Sequence, residues 1–182
     1  MIIGLCGKKG CGKDTLADYL VENHNFVKYN FADPIKEITK IMFCLNDTEL
    51  NNKEKIIETW NLSPRTIFQK LGTEFGQFMI YDLFPELKNI VEKRTFWLKH
   101  FEIFIENNKD KNIVLADVRF QHEVEFLKNL NTIFIKINKN NLLKDEHISE
   151  NEIENIKVNY ILDNNTSKED FYNRFLKLKI KN

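Results

Sequence analysis

Along the chain, short unbroken apolar runs alternate with stretches in which apolar residues recur every three to four positions. The run "IIGLC" (2–6) ends against glycines and has the pattern of a strand buried in a parallel sheet. From Lys13, Leu16, Ala17 and Leu20 fall at helical spacing. "FVKYNFA" (26–32) predicts a second strand, and Pro34 opens a periodic helix through Ile35, Ile38, Ile41 and Met42. Ser63-Pro64 is a helix start, with serine as N-cap and proline at the first helical position, leading through Ile67, Phe68 and Leu71 toward Gly76. "TFWLKHFEIFIEN" (95–107) predicts a further helix. "NIVLAD" (112–117), "TIFIKI" (132–137) and "VNYIL" (158–162) predict three more strands, with the helical "HEVEFLKNL" (122–130) after the first of them. A last helix starts near Ser167, and residues 138–157 are polar and irregular.

Strands separated by helices predict an α/β fold, a three-layer α/β/α arrangement around a five-stranded, mainly parallel sheet. The stretch between the second and third strands reads as a helical insertion, about 34–110. No Pro/Gly/Ser-rich linker divides the 182 residues, so a single domain over 1–182 is expected, with a lid-like segment at about 138–157. A hydrophobic share of 42% supports a substantial core. Lys+Arg 27 against Asp+Glu 27 leaves a net charge of zero, which gives no global pull toward nucleic acid or membrane, so any anion site must be local. Cys6, Cys11 and Cys44 lack C-x-x-C spacing, which argues against a zinc site or a disulfide framework and fits reduced thiols in a cytoplasm. The N-terminal run lacks the form of a signal peptide, and no apolar run approaches the ~20 residues of a membrane span.

Chemistry concentrates first in "GLCGKKGCGKDTLADYL" (4–20). Gly7, Gly12 and Lys13 meet the phosphate-loop pattern G-x-x-x-x-G-K-[ST], between a predicted strand and a predicted helix, which is the context the pattern needs. The backbone of Gly7, Lys8, Lys9, Gly10, Cys11 and Gly12 would curl around phosphate, Lys13 would reach the β- and γ-phosphates, and Thr15 is available to the α-phosphate. Asp14 stands where a hydroxyl residue is usual. Two readings stay open: its carboxylate serves Mg²⁺, directly or through water, or it only favours the first helical turn by its charge. Cys11 lies beside Lys9, Lys13 and a helix N-terminus, neighbours that lower a thiol pKa, and reads either as sensitive to oxidation or, more plainly, as a mere loop thiol.

Four further segments bear on a second ligand. In "FADPIKEI" (31–38), Asp33 follows a strand, either near a ligand or as an ordinary N-cap. In "SPRTIFQKLGTEFGQ" (63–77), Arg65 lies in the first turn of its helix, where a cation opposes the helix dipole but can grip phosphate, and Gln69 follows one turn on. Phe68 reads as core. In "VLADVRFQHEVE" (114–125), four apolar residues and then Asp117 resemble a Walker B strand, whose acid reaches Mg²⁺ or substrate. Arg119 strengthens that reading, and Glu123 either orients Arg119 or is helix surface. In "LLKDEHISENEIE" (142–154), His147, Ser149 and Glu150 form a polar cluster in which Ser149 with Glu152 also fits a capping box.

"GKDT", "FADPIKE", "SPRTIFQKLGTEFGQ", "ADVRFQHEVE" and "HISE", in this order from Ile2 to about Asn165, resemble the deoxynucleoside monophosphate kinases of bacteriophages and large DNA viruses. The resemblance implies a P-loop kinase fold, ATP as phosphate donor, Mg²⁺, and a deoxynucleoside monophosphate as a small-molecule acceptor. It also implies that aspartate after the loop lysine is compatible with activity. On this view Lys13, Arg65, Asp117 and Arg119 carry catalysis and Asp14 and Asp117 face the metal. Asp33, Arg65, Gln69, Asp117, Arg119 and Trp97 lie near the acceptor, although Trp97 on an apolar face also reads as core. Between 138 and 157 there is no arginine, so Lys139, Lys144 or the arginines elsewhere must supply the charge that a lid arginine would. The alternatives are a P-loop kinase of another phosphorylated small molecule, such as phosphomevalonate, and a non-catalytic ATP-binding switch. The apolar helix at 95–107 is a candidate for pairing with a second subunit.

Overall fold

A computed structural model describes residues 1–140, 156–178 and 180. Five strands, β1 (Ile2–Cys6), β2 (Phe26–Tyr29), β3 (Asn112–Leu115), β4 (Ile133–Asn138) and β5 (Tyr160–Asp163), form one sheet in the order β2-β3-β1-β4-β5. Every adjacent pair is parallel, with Gly4 aligned to Leu115 on one flank of β1 and to Phe134 on the other. The strands fall where the apolar runs predict them. The order reverses about β1, and ligands of such sheets bind beyond the carboxyl ends of the strands at that point.

The chain divides into two compact units, residues 1–30 with 106–182, and residues 31–105. The first holds the sheet with α1 (Lys13–His24), α7 (Gln121–Lys128) and α8 (Lys168–Leu176). β1 is buried on both faces, since Ile3 and Leu5 alternate with the equally buried Gly4 and Cys6. Leu16 and Leu20 of α1, Val114 of β3, Ile135 and Ile137 of β4 and Phe171 of α8 complete one core. Tyr19 and Tyr172 stack with ring centroids 3.9 Å apart, which joins α1 to α8. Ser167 caps α8 by accepting the N–H of Asp170.

The second unit is helical: α2 (Ala32–Met42), α3 (Asp47–Asn51), α4 (Pro64–Gln69), a π-helix (Lys70–Met79), α5 (Ile80–Leu83), a 3₁₀ turn (Pro85–Asn89) and most of α6 (Phe96–Glu106). Ser63 accepts the N–H of Thr66 and Pro64 takes the first turn of α4, as the Ser-Pro pair predicts. The helix expected from there to Gly76 is α-helical only to Gln69 and then widens to π. Trp97 accounts for the change. Its indole lies where a Cβ on Gly76 would stand, and its Nε1–H donates to the carbonyl of Gly72 at 2.8 Å. A side-chain donor inserted into a helix ladder in this way favours the wider turn.

Candidate active site

β1 runs into a loop that only glycine could complete. Gly7, Gly10 and Gly12 have φ of 139°, 79° and 111°, where a Cβ is strained. A side chain on Gly7 would also strike the carbonyl of Ile137 and the sulfur of Cys11. The turn is closed by the N–H of Cys11 on the carbonyl of Lys8. Gly12 is the N-cap of α1 and has no capping side chain, so the first N–H groups of the helix face whatever the loop holds. Lys13 is buried, and its Nζ donates to the carbonyls of Gly7 at 2.6 Å and Lys8 at 3.0 Å. A buried ammonium held by the loop's own carbonyls is positioned to exchange them for phosphate oxygens.

Asp14 is exposed, and its Oδ1 accepts from Nζ of Lys28 on β2 at 2.9 Å. The same Lys28 reaches Asp18 at 2.9 Å. Burial disfavours the Lys28 ammonium, but the hydrogen bonds from Asp18 and Asp14 outweigh it and raise the pKa. Thr15 is half-buried beside it, and Lys8 and Lys9 are exposed.

Cys11 is fully buried, and burial pushes its thiol up. Cys6 is likewise pushed up to about 11 by burial. The charge of Lys13 opposes the shift, but desolvation outweighs it and holds the Cys11 thiol above its ordinary value.

β3 lies beside β1, so its carboxyl end opens on the same edge of the sheet as the loop. Asp117 and Arg119, both half-buried, follow β3 there. Glu123 in the first turn of α7 is buried, and its Oε2 accepts the main-chain N–H groups of Arg119 at 2.8 Å and Phe120 at 3.0 Å. Glu123 is therefore not helix surface. It fixes the backbone that carries Arg119. Burial pushes its carboxyl up to about 8, against the two N–H bonds and with some help from Asp117.

From the far end of the sheet, Asn164 follows β5 and donates Nδ2–H to the carbonyl of Cys11 at 2.8 Å. Neither this contact nor the Lys28 pair was signalled by the sequence, where Asn164 sits in an Asn-rich turn and Lys28 in a strand.

In the second unit, Asp33 lies inside the first turn of α2, whose N-cap is Phe31, and its carboxylate pairs with Lys36 at 2.7 Å, so it is not the cap. Arg65 grips Glu54 through Nε at 2.8 Å and a terminal nitrogen at 2.6 Å, which accounts for a cation in the first turn of α4. Gln69 is exposed at the end of α4. Trp97 is 7% exposed and its one donor is used on Gly72, which is the core reading of that residue. His147, Ser149 and Glu150, with most of the lid-like segment, lie outside the described residues.

A parallel sheet reversing about β1, a glycine loop at the carboxyl end of β1 and a lysine at the head of α1 folded onto that loop define a P-loop kinase fold. The model of the deoxynucleotide monophosphate kinases matches residues 1–63 and 47–175, and the chain belongs to that family. It is 34% identical over 188 residues to a putative deoxynucleotide monophosphate kinase of Acanthamoeba polyphaga mimivirus, covering 97% of this chain and 94% of that protein. It is 22% identical over 253 residues to the deoxynucleoside-5'-monophosphate kinase of Escherichia phage T5, covering 100% and 95%. Among solved structures, dephospho-CoA kinase from Campylobacter jejuni is similar with a TM-score of 0.48 at 19% identity, over 97% of this chain and 94% of that one.

Proposed function

We propose that the protein transfers the γ-phosphate of ATP to a deoxynucleoside 5'-monophosphate, giving ADP and the deoxynucleoside diphosphate. The observation that carries this reading is Lys13, buried at the head of α1 with its ammonium on the loop carbonyls, in a chain of the deoxynucleotide monophosphate kinase family. An oxygen of the acceptor phosphate attacks the γ-phosphorus, and the bond to the β–γ bridging oxygen breaks. The acceptor is already an anion, so no general base is required. What the protein must supply is position and positive charge. The N–H groups of the loop other than that of Cys11, together with that of Lys13, cradle the donor, Lys13 spans its β- and γ-phosphates, and Thr15 reaches the α-phosphate. Arg119 stabilises the moving phosphoryl group. Arg65 exchanges Glu54, an exposed partner of little net strength, for the acceptor phosphate, with Asp33 and Gln69 toward the nucleoside.

Mg²⁺ fits this donor set. The carboxylates of Asp117 and Asp14 are hard oxygen donors, which suit a hard cation that keeps most of its waters and binds mainly to nucleotide phosphates. Asp117 and Asp14 would hold it, and it would screen the charge between donor and acceptor. Among the described residues no helix is long and apolar enough to cross a membrane.

The test is ADP release from ATP and Mg²⁺ against a panel of deoxy- and ribonucleoside monophosphates and phosphomevalonate. Turnover with one or more deoxynucleotides is expected. Turnover with phosphomevalonate alone would reassign the acceptor, and binding of ATP without turnover on any acceptor would favour a switch.

A further inference from the structure

The phosphate loop is held from behind by a residue far away in the chain. Asn164 lies just after β5, where its main-chain N–H donates to the carbonyl of Asn138 at 2.8 Å, fixing the turn to the end of β4. Its half-buried side chain then donates to the carbonyl of Cys11 at 2.8 Å. The loop makes room for this contact. A Cβ on Gly12 would collide with the Asn164 amide, so glycine is required there for close approach as well as for its φ of 111°.

The peptide group between Cys11 and Gly12 is planar and trans, so its C=O and N–H point in opposite directions. A donor that holds the Cys11 carbonyl on one side therefore fixes the Gly12 N–H on the other. The carboxamide does this without charge. An aspartate of the same shape would lose the donor, face the carbonyl with a second acceptor, and place a negative charge beside a loop built for anions.

We propose that Asn164 is a positioning residue of the phosphate loop, whose carboxamide orients the Cys11–Gly12 peptide so that the Gly12 N–H is aimed at the polyphosphate of the donor nucleotide. This rests on the reading of the loop as the donor site. Asn164 does not touch the reacting atoms. It sets the direction of a group that does, before the nucleotide arrives, and so spares the bound state a peptide rotation.

The test compares the full-length wild type with Asn164→Asp and Asn164→Ala, by calorimetric titration with adenosine and ADP and by steady-state kinetics. Loss of one oriented hydrogen bond to an anion is expected to weaken ADP binding by about tenfold in Asn164→Ala, and further in Asn164→Asp. Adenosine binding, the acceptor KM and the binding stoichiometry should hold, and the donor KM should rise while kcat stays within about twofold. A purely structural role would instead lower the stoichiometry and kcat together at unchanged donor KM. ADP binding within twofold of wild type in both variants, or a parallel loss for adenosine and ADP, overturns the proposal. If neither variant folds, the wild type answers by NMR: the Gly12 amide must shift on ADP addition while the Asn164 side-chain amide stays protected from exchange, and failure of either overturns it. A wild type that binds neither ATP nor ADP would remove the donor-site reading itself.

Discussion

Lys13 and Arg119 stand at the two ends of the proposed transfer, and each is held by main-chain geometry. The Lys13 ammonium rests on two loop carbonyls, and the Arg119 backbone rests on Glu123. Lys13→Ala and Arg119→Ala should each lower kcat/KM by at least about a hundredfold, with cooperative unfolding retained; near-normal turnover of either would sink its assignment. Asp14 is exposed to solvent, whereas Asp117 is half-buried and follows the strand adjacent to β1. Asp117→Asn should therefore raise the Mg²⁺ concentration for half-maximal activity more than Asp14→Asn does, and the reverse order would make Asp14 the principal donor.

Glu123 gives a pH signature. Its folded pKa is pushed up to about 8, above the ordinary carboxylate range of the unfolded chain. Between that range and about pH 8 the folded state keeps a proton that the unfolded state has released, so stability from this residue falls as pH rises through the window. Glu123→Gln keeps an oxygen for the two N–H groups and removes the titration. Its stability relative to wild type should climb between pH 5 and 8.5 in urea titrations, and a flat difference would refute the buried carboxyl. Glu123→Ala leaves both N–H groups without their acceptor and should cost about 2 kcal/mol.

At the scale of elements, the π-helix shows where sequence reasoning reaches its limit. The strands were legible as apolar runs, most plainly β1 and β3, which are covered on both faces, and the Ser63-Pro64 start was legible because caps are local chemistry. The widening after Gln69 was not, since it depends on Trp97, a residue far along the chain whose indole occupies the space left by Gly76. Gly76→Ala should force the two apart and lower stability by about 1–3 kcal/mol, read as a shifted urea midpoint at unchanged slope. Of the two readings of Glu123, orienting Arg119 or helix surface, its spacing favours the first. Glu123 shares a helix face with Leu127, four residues on, and both are buried. The Lys28 link from β2 to the first turns of α1 carried none, because a lysine in a strand reads as solvent-facing.

For the whole molecule, the α/β class and the loop were readable, while the strand order was not. An order of β2-β3-β1-β4-β5 is a property of how each crossover travels, and five apolar runs specify only that there are strands to arrange. The sequence reads one domain with a helical insertion over about 34–110, and the chain divides into residues 1–30 with 106–182 and residues 31–105. The two readings of Cys11, an oxidation-sensitive thiol or a mere loop thiol, turn on a related point. Local charge is visible along a chain, but desolvation belongs to the folded object. Of the three thiols, Cys6 and Cys11 are buried and Cys44 alone is exposed. The native protein is thus a ready-made single-site conjugate. A maleimide dye should attach once per native chain, at Cys44, and three times after denaturation. A fluorophore could then be placed in the helical unit, with no residue changed, to follow nucleotide binding. Native labelling of more than one thiol would show that the phosphate loop opens far more often than its packing allows.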